Sequence, residues 1–513
     1  MAEYERGNRG DSSPSKITVI KPNRANQAAG ALILLLLAGV LWIYGYAGEI
    51  RNATTQNYPT TGLTGTPFTQ TVLGNLYIMA SIFVVIGFGL LLSYLKRATF
   101  SALFTSIVTV SLTVIVSPIF EKFWFNIFIT NFDGASPTPN DPSRFLQYSL
   151  GGQNIYIDFY NLRIVMANAI SQLVTALALF GRLNPAQIIL NSFGFNFCWN
   201  LNYFLCAFLA TDSPDSRFMD DYQINSIYLF AACYGIIASL ILKQPATSTA
   251  VEFSSSSNSA VTAHLGTFFL FLAFCTTTPL FTTKYTSSGS ESQRAFIWQE
   301  AFISTFIALS ASVIANYAIS VLLNHKAKLG IRGSLVGTIT GAIIYGPVAG
   351  TCINIGAAIA CGLIAGSISA FFFEKIFPSL NGNTIKDSFG LVGVLIVSFL
   401  GTFVISPTVL KTYYNYDVDL PTLHPDNTFS TAYAITNKNI AGWVLVYVGV
   451  SAGIGLVSGL VIGLLVKFID QPSIKSFDDS ELFKSGIYGL REPITNKTEA
   501  QEGMISAQEL NHN

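Results

Sequence analysis

Long apolar blocks, from which charge has been swept out, constrain this chain more than any other feature. They lie near 29–47, 74–95, 99–120, 161–181, 186–210 and 222–242 in the first half. The second half carries them near 261–279, 294–323, 333–349, 354–373, 388–406 and 440–467. A helix needs about 20 largely apolar residues to cross some 30 Å of hydrocarbon, so the blocks predict roughly twelve spans. Composition agrees, with 51% hydrophobic and only 11% charged residues, against about 25% charged in an ordinary soluble chain. The 28 basic and 28 acidic residues cancel, leaving no field to steer DNA or an acidic partner. The expectation is an all-α, polytopic membrane bundle. A cytosolic enzyme, a nucleic-acid binder and a disordered chain are excluded.

The spacing divides the chain into a cytoplasmic N-terminal tail (1–27), a transmembrane domain (28–468) and a cytoplasmic C-terminal tail (469–513). An even number of spans puts both tails on one side. The first block is no cleavable signal: Glu3, Glu5 and Asp11 precede it, and its apolar core exceeds a signal h-region of about 7–15 residues. Lys and Arg collect in cytoplasmic loops, and with the N-terminus inside the tally is roughly 19 against 9 in the required sense. The outer face then holds the acid-rich loops around 212–221 and 412–426 and the sequon Asn52-Ala53-Thr54, a candidate glycosylation site. The stretch "SSSSNS" (254–259) reads as a cytoplasmic link between the halves.

Catalytic chemistry finds no foothold. Cys198, Cys206, Cys233, Cys275, Cys352 and Cys361 fall in or beside apolar blocks. None has the spacing of a zinc site or a disulfide framework, so no metal and no cofactor is expected. No phosphate-binding Gly-rich loop is present, and the tails are too short for a catalytic domain. Glycines at four-residue spacing mark close helix packing: Gly333, Gly337 and Gly341; Gly362 and Gly366; Gly455, Gly459 and Gly463.

Asp220 and Asp387 each stand at the start of a span, five spans apart. Either alone is a helix cap. As a pair they suggest an inverted repeat, because an odd offset reverses the direction of the helix through the membrane. Such repeats place a site near the midplane where the halves meet.

Segments in order along the chain resemble the Rh glycoproteins, the eukaryotic branch of the ammonium transporter (Amt/Rh) family. They are "VVIGFGLLLSYLKRATFSALF" (84–104), "FGRLNPAQIIL" (180–190), "AHLGTFFLFLAF" (263–274), "LLNHKAKLGIRGSLVGTITGAIIYGP" (322–347), "AGSISAFFF" (365–373) and "QPSIKSFDD" (471–479). The resemblance implies an inverted five-helix repeat and a homotrimer with a pore through each protomer, working alone or inside a larger membrane complex. It also implies twin pore histidines, each eight residues after an acidic position. Here those positions hold Tyr228, eight after Asp220, and Leu395, eight after Asp387, with no histidine anywhere in 387–406. The two phenylalanines of the family's outer gate fall on Ala167 and Thr277. His264 lies off the pore-histidine positions and is expected as a polar residue within the helix bundle.

Asp220, Tyr228, Leu395, Ala167, Thr277 and Asp387 are therefore the expected pore-lining residues. A phenol, titrating near 10 in water, and a leucine cannot shuttle protons at neutral pH. Two functions stay open: a channel for a small neutral permeant, ammonia foremost and carbon dioxide second, or a non-conducting structural subunit. The plasma membrane is the favoured location.

Overall fold

In the computed structural model the described residues are 24–50, 67–94, 99–132, 155–157, 159–179, 183, 185–212, 225–242, 257–282, 291–324, 331–349, 355–376, 391–405 and 440–468. Helices account for almost all of them. The first half holds α1 (Arg24–Ala47), α2 (Pro67–Leu92), α3 (Thr99–Phe132), α4 (Phe159–Leu179), α5 (Pro185–Asp212) and α6, which opens as a wide π-turn (Asn225–Leu229) and continues as α-helix (Phe230–Ile241). The second half holds α7 (Ser257–Thr282), α8 (Glu291–Leu323), α9 (Ile331–Tyr345), α10 (Ile355–Phe371), α11 (Leu391–Phe399, ending in a π-turn Leu400–Ile405) and α12 (Ile440–Phe468). A short parallel ladder joins β1 (Gly48–Ile50) to β2 (Ile155–Ile157). Each apolar block thus falls on its own helix.

Only five stretches among the described residues are long and apolar enough to cross a membrane on composition alone: Thr99–Phe128, Ser257–Phe274, Ala301–Leu323, Ile355–Ile376 and Leu445–Phe468. The remaining helices are shorter or carry polar residues. In α5, Asn191, Ser192, Asn196, Asn200 and Asn202 dilute the hydropathy, and all five are buried. Their amides face protein, so the helix stays compatible with lipid. The outward faces show the converse. Met79, Ile82, Phe83 and Ile86 of α2, and Val261, Leu265, Phe268 and Leu272 of α7, form exposed apolar stripes at helical spacing. Polar groups inside and greasy stripes outside suit a bundle whose solvent is hydrocarbon.

Block 99–120 understates its helix. Its window stops at Glu121-Lys122, yet α3 continues to Phe132 and carries Pro118 inside it. A charge pair ends an apolar window without ending a helix, and packed neighbours re-satisfy the backbone group that proline frees.

Helix pairings inside α2–α6 recur in α7–α11. The contacts α2–α3, α2–α4, α3–α4, α3–α5, α4–α5 and α4–α6 have counterparts α7–α8, α7–α9, α8–α9, α8–α10, α9–α10 and α9–α11. The offset of five is odd, so the two sets run oppositely through the membrane. They meet at α2–α7 and at α6–α11, with α1 against α5 and with α12 against α5 and α6 outside the repeat. At the α2–α7 crossing, a Cβ on Gly266 would stand 2.6 Å from the Gly87 carbonyl oxygen and 2.6 Å from the Leu91 nitrogen. Only glycine fits there. Most of the glycine rows of α9, α10 and α12 behave alike, a Cβ on Gly459 meeting the Tyr234 carbonyl oxygen at 2.5 Å, whereas one on Gly333 would come no nearer than 3.4 Å to Phe373.

Candidate functional site between the repeats

The α6–α11 crossing holds Tyr228 and Leu395, two of the residues expected to line a pore. A π-turn widens the helix by one residue and displaces its carbonyls from their usual N–H partners. Side chains from two neighbouring helices cover them. Trp199 Nε1 of α5 donates to the Ser226 carbonyl at 2.7 Å, and Ser171 Oγ of α4 donates to the Ile227 carbonyl at 2.8 Å. One turn on, Thr175 Oγ1 donates to the Ala231 carbonyl at 3.3 Å. These three residues fix the rotation of α6 and so aim Tyr228.

Tyr228 points into the core, with 4% of its surface exposed. Its ring lies 5.9 Å from that of Phe274 on α7, tilted by 33°, and Phe274 is itself 3% exposed. Leu395 of α11 is half-buried and packs against the main core and against a small cluster of Leu229, Cys233 and Val448. The π-turn of α6 contacts α11 directly, so Tyr228 and Leu395 share one neighbourhood. Below them, Tyr234 donates its hydroxyl proton to Asn191 Oδ1 at 2.8 Å within an aromatic group of Phe195 and Phe230.

Ala167 is fully buried in the core on α4, which contacts the π-turn of α6. Asp220, Asp387 and Asn52 lie outside the described residues, as does the side chain of Thr277. His264 is corrected from an interior polar residue to an outward one. It is exposed on the α7 stripe of Val261 and Phe268, with Nδ1 2.8 Å from its own helix's Ala260 carbonyl oxygen and Nε2 3.2 Å from Ser334 Oγ. A histidine placed four residues from an exposed apolar residue follows the helix outward. The ring does not face the α6–α11 crossing.

Phe274, Trp199, Ser171 and Thr175 went unnoticed in the sequence. Ser171 and Thr175 carried a signal, since hydroxyls one turn apart within an apolar span have to find acceptors. The Tyr228–Phe274 pairing carried none. Chemically, the described side chains of the crossing offer a phenol, an aliphatic group and aromatic faces, with no carboxylate or amide among them.

Comparison with solved structures adds the decisive observation. A structure titled as Nitrosomonas europaea Rh50 and the mechanism of conduction by the Rhesus protein family of channels superposes with TM-score 0.61 at 20% identity. The match covers 87% of this chain and 100% of that one. The chain has the Amt/Rh fold. Saccharomyces cerevisiae Mep2 matches this Rh-like chain with TM-score 0.57 at 16% identity, over 86% of this chain and 97% of its own. In sequence, the Rh-like chain is 23% identical over 414 residues to Rhesus-like glycoprotein A of Dictyostelium discoideum, covering 80% of this chain and 71% of the relative. It is 23% identical over 419 residues to ammonium transporter Rh type B of Sus scrofa, covering 79% and 80% respectively. No protein-family profile matches it.

Proposed function

We propose that this Rh-like chain is a passive membrane channel for uncharged ammonia, which crosses each protomer at the α6–α11 contact. The observation that carries the reading is the likeness, over about four-fifths of the chain, to proteins named ammonium transporter Rh type B. The chemistry of the crossing narrows the permeant. Holding a bare cation at mid-membrane costs several kcal/mol without ligands, and Tyr228, Phe274 and Leu395 supply no carboxylate or amide oxygen. A neutral molecule needs only room, and the Tyr228–Phe274 ring pair is the element that must swing aside. Asp220, Ala167, Thr277 and Asp387 complete the lining in this reading. Carbon dioxide is the second permeant, a homotrimer the assembly and the plasma membrane the location.

Proteoliposomes loaded with a pH-sensitive dye test it. An inward ammonia gradient should alkalinise the lumen faster than in protein-free vesicles, with no electrical current. Equal rates with and without protein overturn the proposal.

A further inference from the structure

Past its last α-helical turn, α10 runs on as a π-turn, Phe372–Ile376. A carboxylate ties this turn to the end of α8. Ser320 Oγ donates to Glu374 Oε1 at 2.8 Å, and Asn324 Nδ2 donates to Glu374 Oε2 at 3.3 Å. The Asn324 main-chain N–H in turn donates to the Ser320 carbonyl at 3.1 Å, so both donors sit on one helical turn. The π-turn also meets α11. Phe372 is fully buried, and a Cβ added to Gly393 of α11 would stand 3.3 Å from its ring. The carboxylate thus fixes a turn whose aromatic side chain spaces α10 from α11.

Between the two helices the surface opens into a groove of about 400 Å³, lined by Ser367, Ile368, Phe371, Phe372, Ile376 and Ile396. Phe372 is its floor and the exposed Phe371 its rim. Ser367 brings the lining's only hydroxyl, which donates to the Leu363 carbonyl of its own helix at 2.7 Å. The groove therefore asks for no polar atom from a guest. Leu363, Ile364 and Phe371, on the same helix, are exposed and apolar, so this face looks into hydrocarbon. Volume decides which apolar guest fits. Two turns of a helix, about 10 Å across and about 11 Å long, take up roughly 850 Å³, twice the space present. A partner's helix cannot seat here, whereas a single flexible hydrocarbon chain can.

A lipid tail gains nothing by exchanging other tails for an equally apolar wall. What separates a bound chain from passing solvent is contact and charge. A groove left unfilled forfeits the dispersion contacts of its walls, and its end carries a cation. Lys375 is exposed on the π-turn, beside Ile376 of the lining, while the neighbouring Glu374 carboxylate is turned to α8. An ammonium has three donors, so a contact within the protein leaves others for a phosphate. The excess of Lys and Arg assigns this end of α10 to the cytoplasm, the leaflet that holds anionic lipids. We propose that the α10–α11 groove binds one acyl chain of an anionic phospholipid of the cytoplasmic leaflet, with its phosphate at Lys375. Binding there does not depend on conduction at the α6–α11 crossing.

Photolabelling of the purified full chain tests the site, in phosphatidylcholine vesicles doped with a phosphatidylserine that carries a diazirine on one acyl chain. Mass spectrometry should find an adduct within 367–376 that saturates as the photolipid share rises. Unlabelled phosphatidylserine should displace it about fivefold more effectively than added phosphatidylcholine. Ser367→Trp, which fills the groove from its edge, should abolish the adduct. Lys375→Gln should keep the adduct and lose the preference for serine lipid. No adduct there, as where a second copy covers the groove, overturns the proposal. So does labelling that never saturates or that falls equally on the exposed stripes of α2 and α7, the mark of tails acting as solvent alone. An adduct that survives Ser367→Trp, or a preference that survives Lys375→Gln, overturns it too. Should Ser367→Trp fail to fold, the wild-type chain decides: displacement by phosphatidylserine but not by glycerophosphoserine, its headgroup without tails, is the expected result. Displacement by that headgroup, or by neither, overturns the proposal.

Discussion

Removing the phenol of Tyr228 and removing its whole ring ask different questions of the same site. Tyr228→Phe keeps the contact with Phe274, 5.9 Å between ring centres, and deletes only a hydroxyl that no proton relay requires. Ammonia flux through proteoliposomes should therefore stay within about twofold of wild type, a difference below about 0.4 kcal/mol in barrier. Tyr228→Ala opens the crossing, and flux should rise, read as faster alkalinisation at equal protein density. Truncating a buried aromatic also costs about 3–5 kcal/mol of packing, so the variant should melt earlier while conducting faster. Trp199→Phe acts one step back. It removes the shorter of two hydrogen bonds to the Ser226 carbonyl, 2.7 Å from Trp199 Nε1 against 3.5 Å from Ser171 Oγ, and losing such a bond costs about 0.5–1.5 kcal/mol. A lower Tm together with altered flux shows that Trp199 positions α6; a lower Tm alone shows that it merely stabilises the fold. His264→Ala, on the exposed stripe of α7, should leave flux and its pH profile unchanged.

At the level of helices, the expected blocks and the helices coincide because hydrocarbon keeps charge out of a span. This holds even where buried polar residues or a short stretch leave the helix below the apolar length of a stand-alone span. The glycine rows were legible for a related reason: close helix approach in lipid demands small residues at fixed spacing. Gly366 shows the strictness, since an added Cβ would collide with the Ser312 carbonyl. Gly366→Leu should prise α10 from α8 and lower stability by about 1–3 kcal/mol or more, measured as loss of folded protein on size-exclusion chromatography after mild heating. What could not be foreseen was geometry between helices. The π-turn at Asn225–Leu229 leaves no mark in an apolar string. The Tyr228–Phe274 contact joins residues 46 apart in the chain, which no local pattern encodes. The polar row of α5 falls between: the four-residue spacing of Ser192, Asn196 and Asn200 is visible in the chain, but only the three-dimensional arrangement shows that it faces Thr113, Ser117 and Asn168 of α3 and α4.

Across the whole molecule, the repeat and the charge distribution make one joint claim about orientation. Antiparallel five-helix sets need their connecting segment, 254–259, on the side where α6 ends and α7 begins, and the excess of Lys and Arg assigns that side to the cytoplasm. The same reasoning puts the acid-rich segment 212–221, between α5 and α6, outside. A membrane-impermeant maleimide applied to intact cells should therefore label Ser216→Cys and should label Ser256→Cys only after permeabilisation. Cys198, Cys206, Cys233 and Cys361 are buried or half-buried, and the labelling is run in a chain with Cys275 and Cys352 replaced by serine. Labelling of Ser256→Cys from outside would invert every helix and set the charge bias against its usual sense. Labelling of both from outside would mean an even number of crossings between them. That would remove α6 as a span and, with it, the antiparallel α6–α11 pair on which the proposed route for ammonia depends.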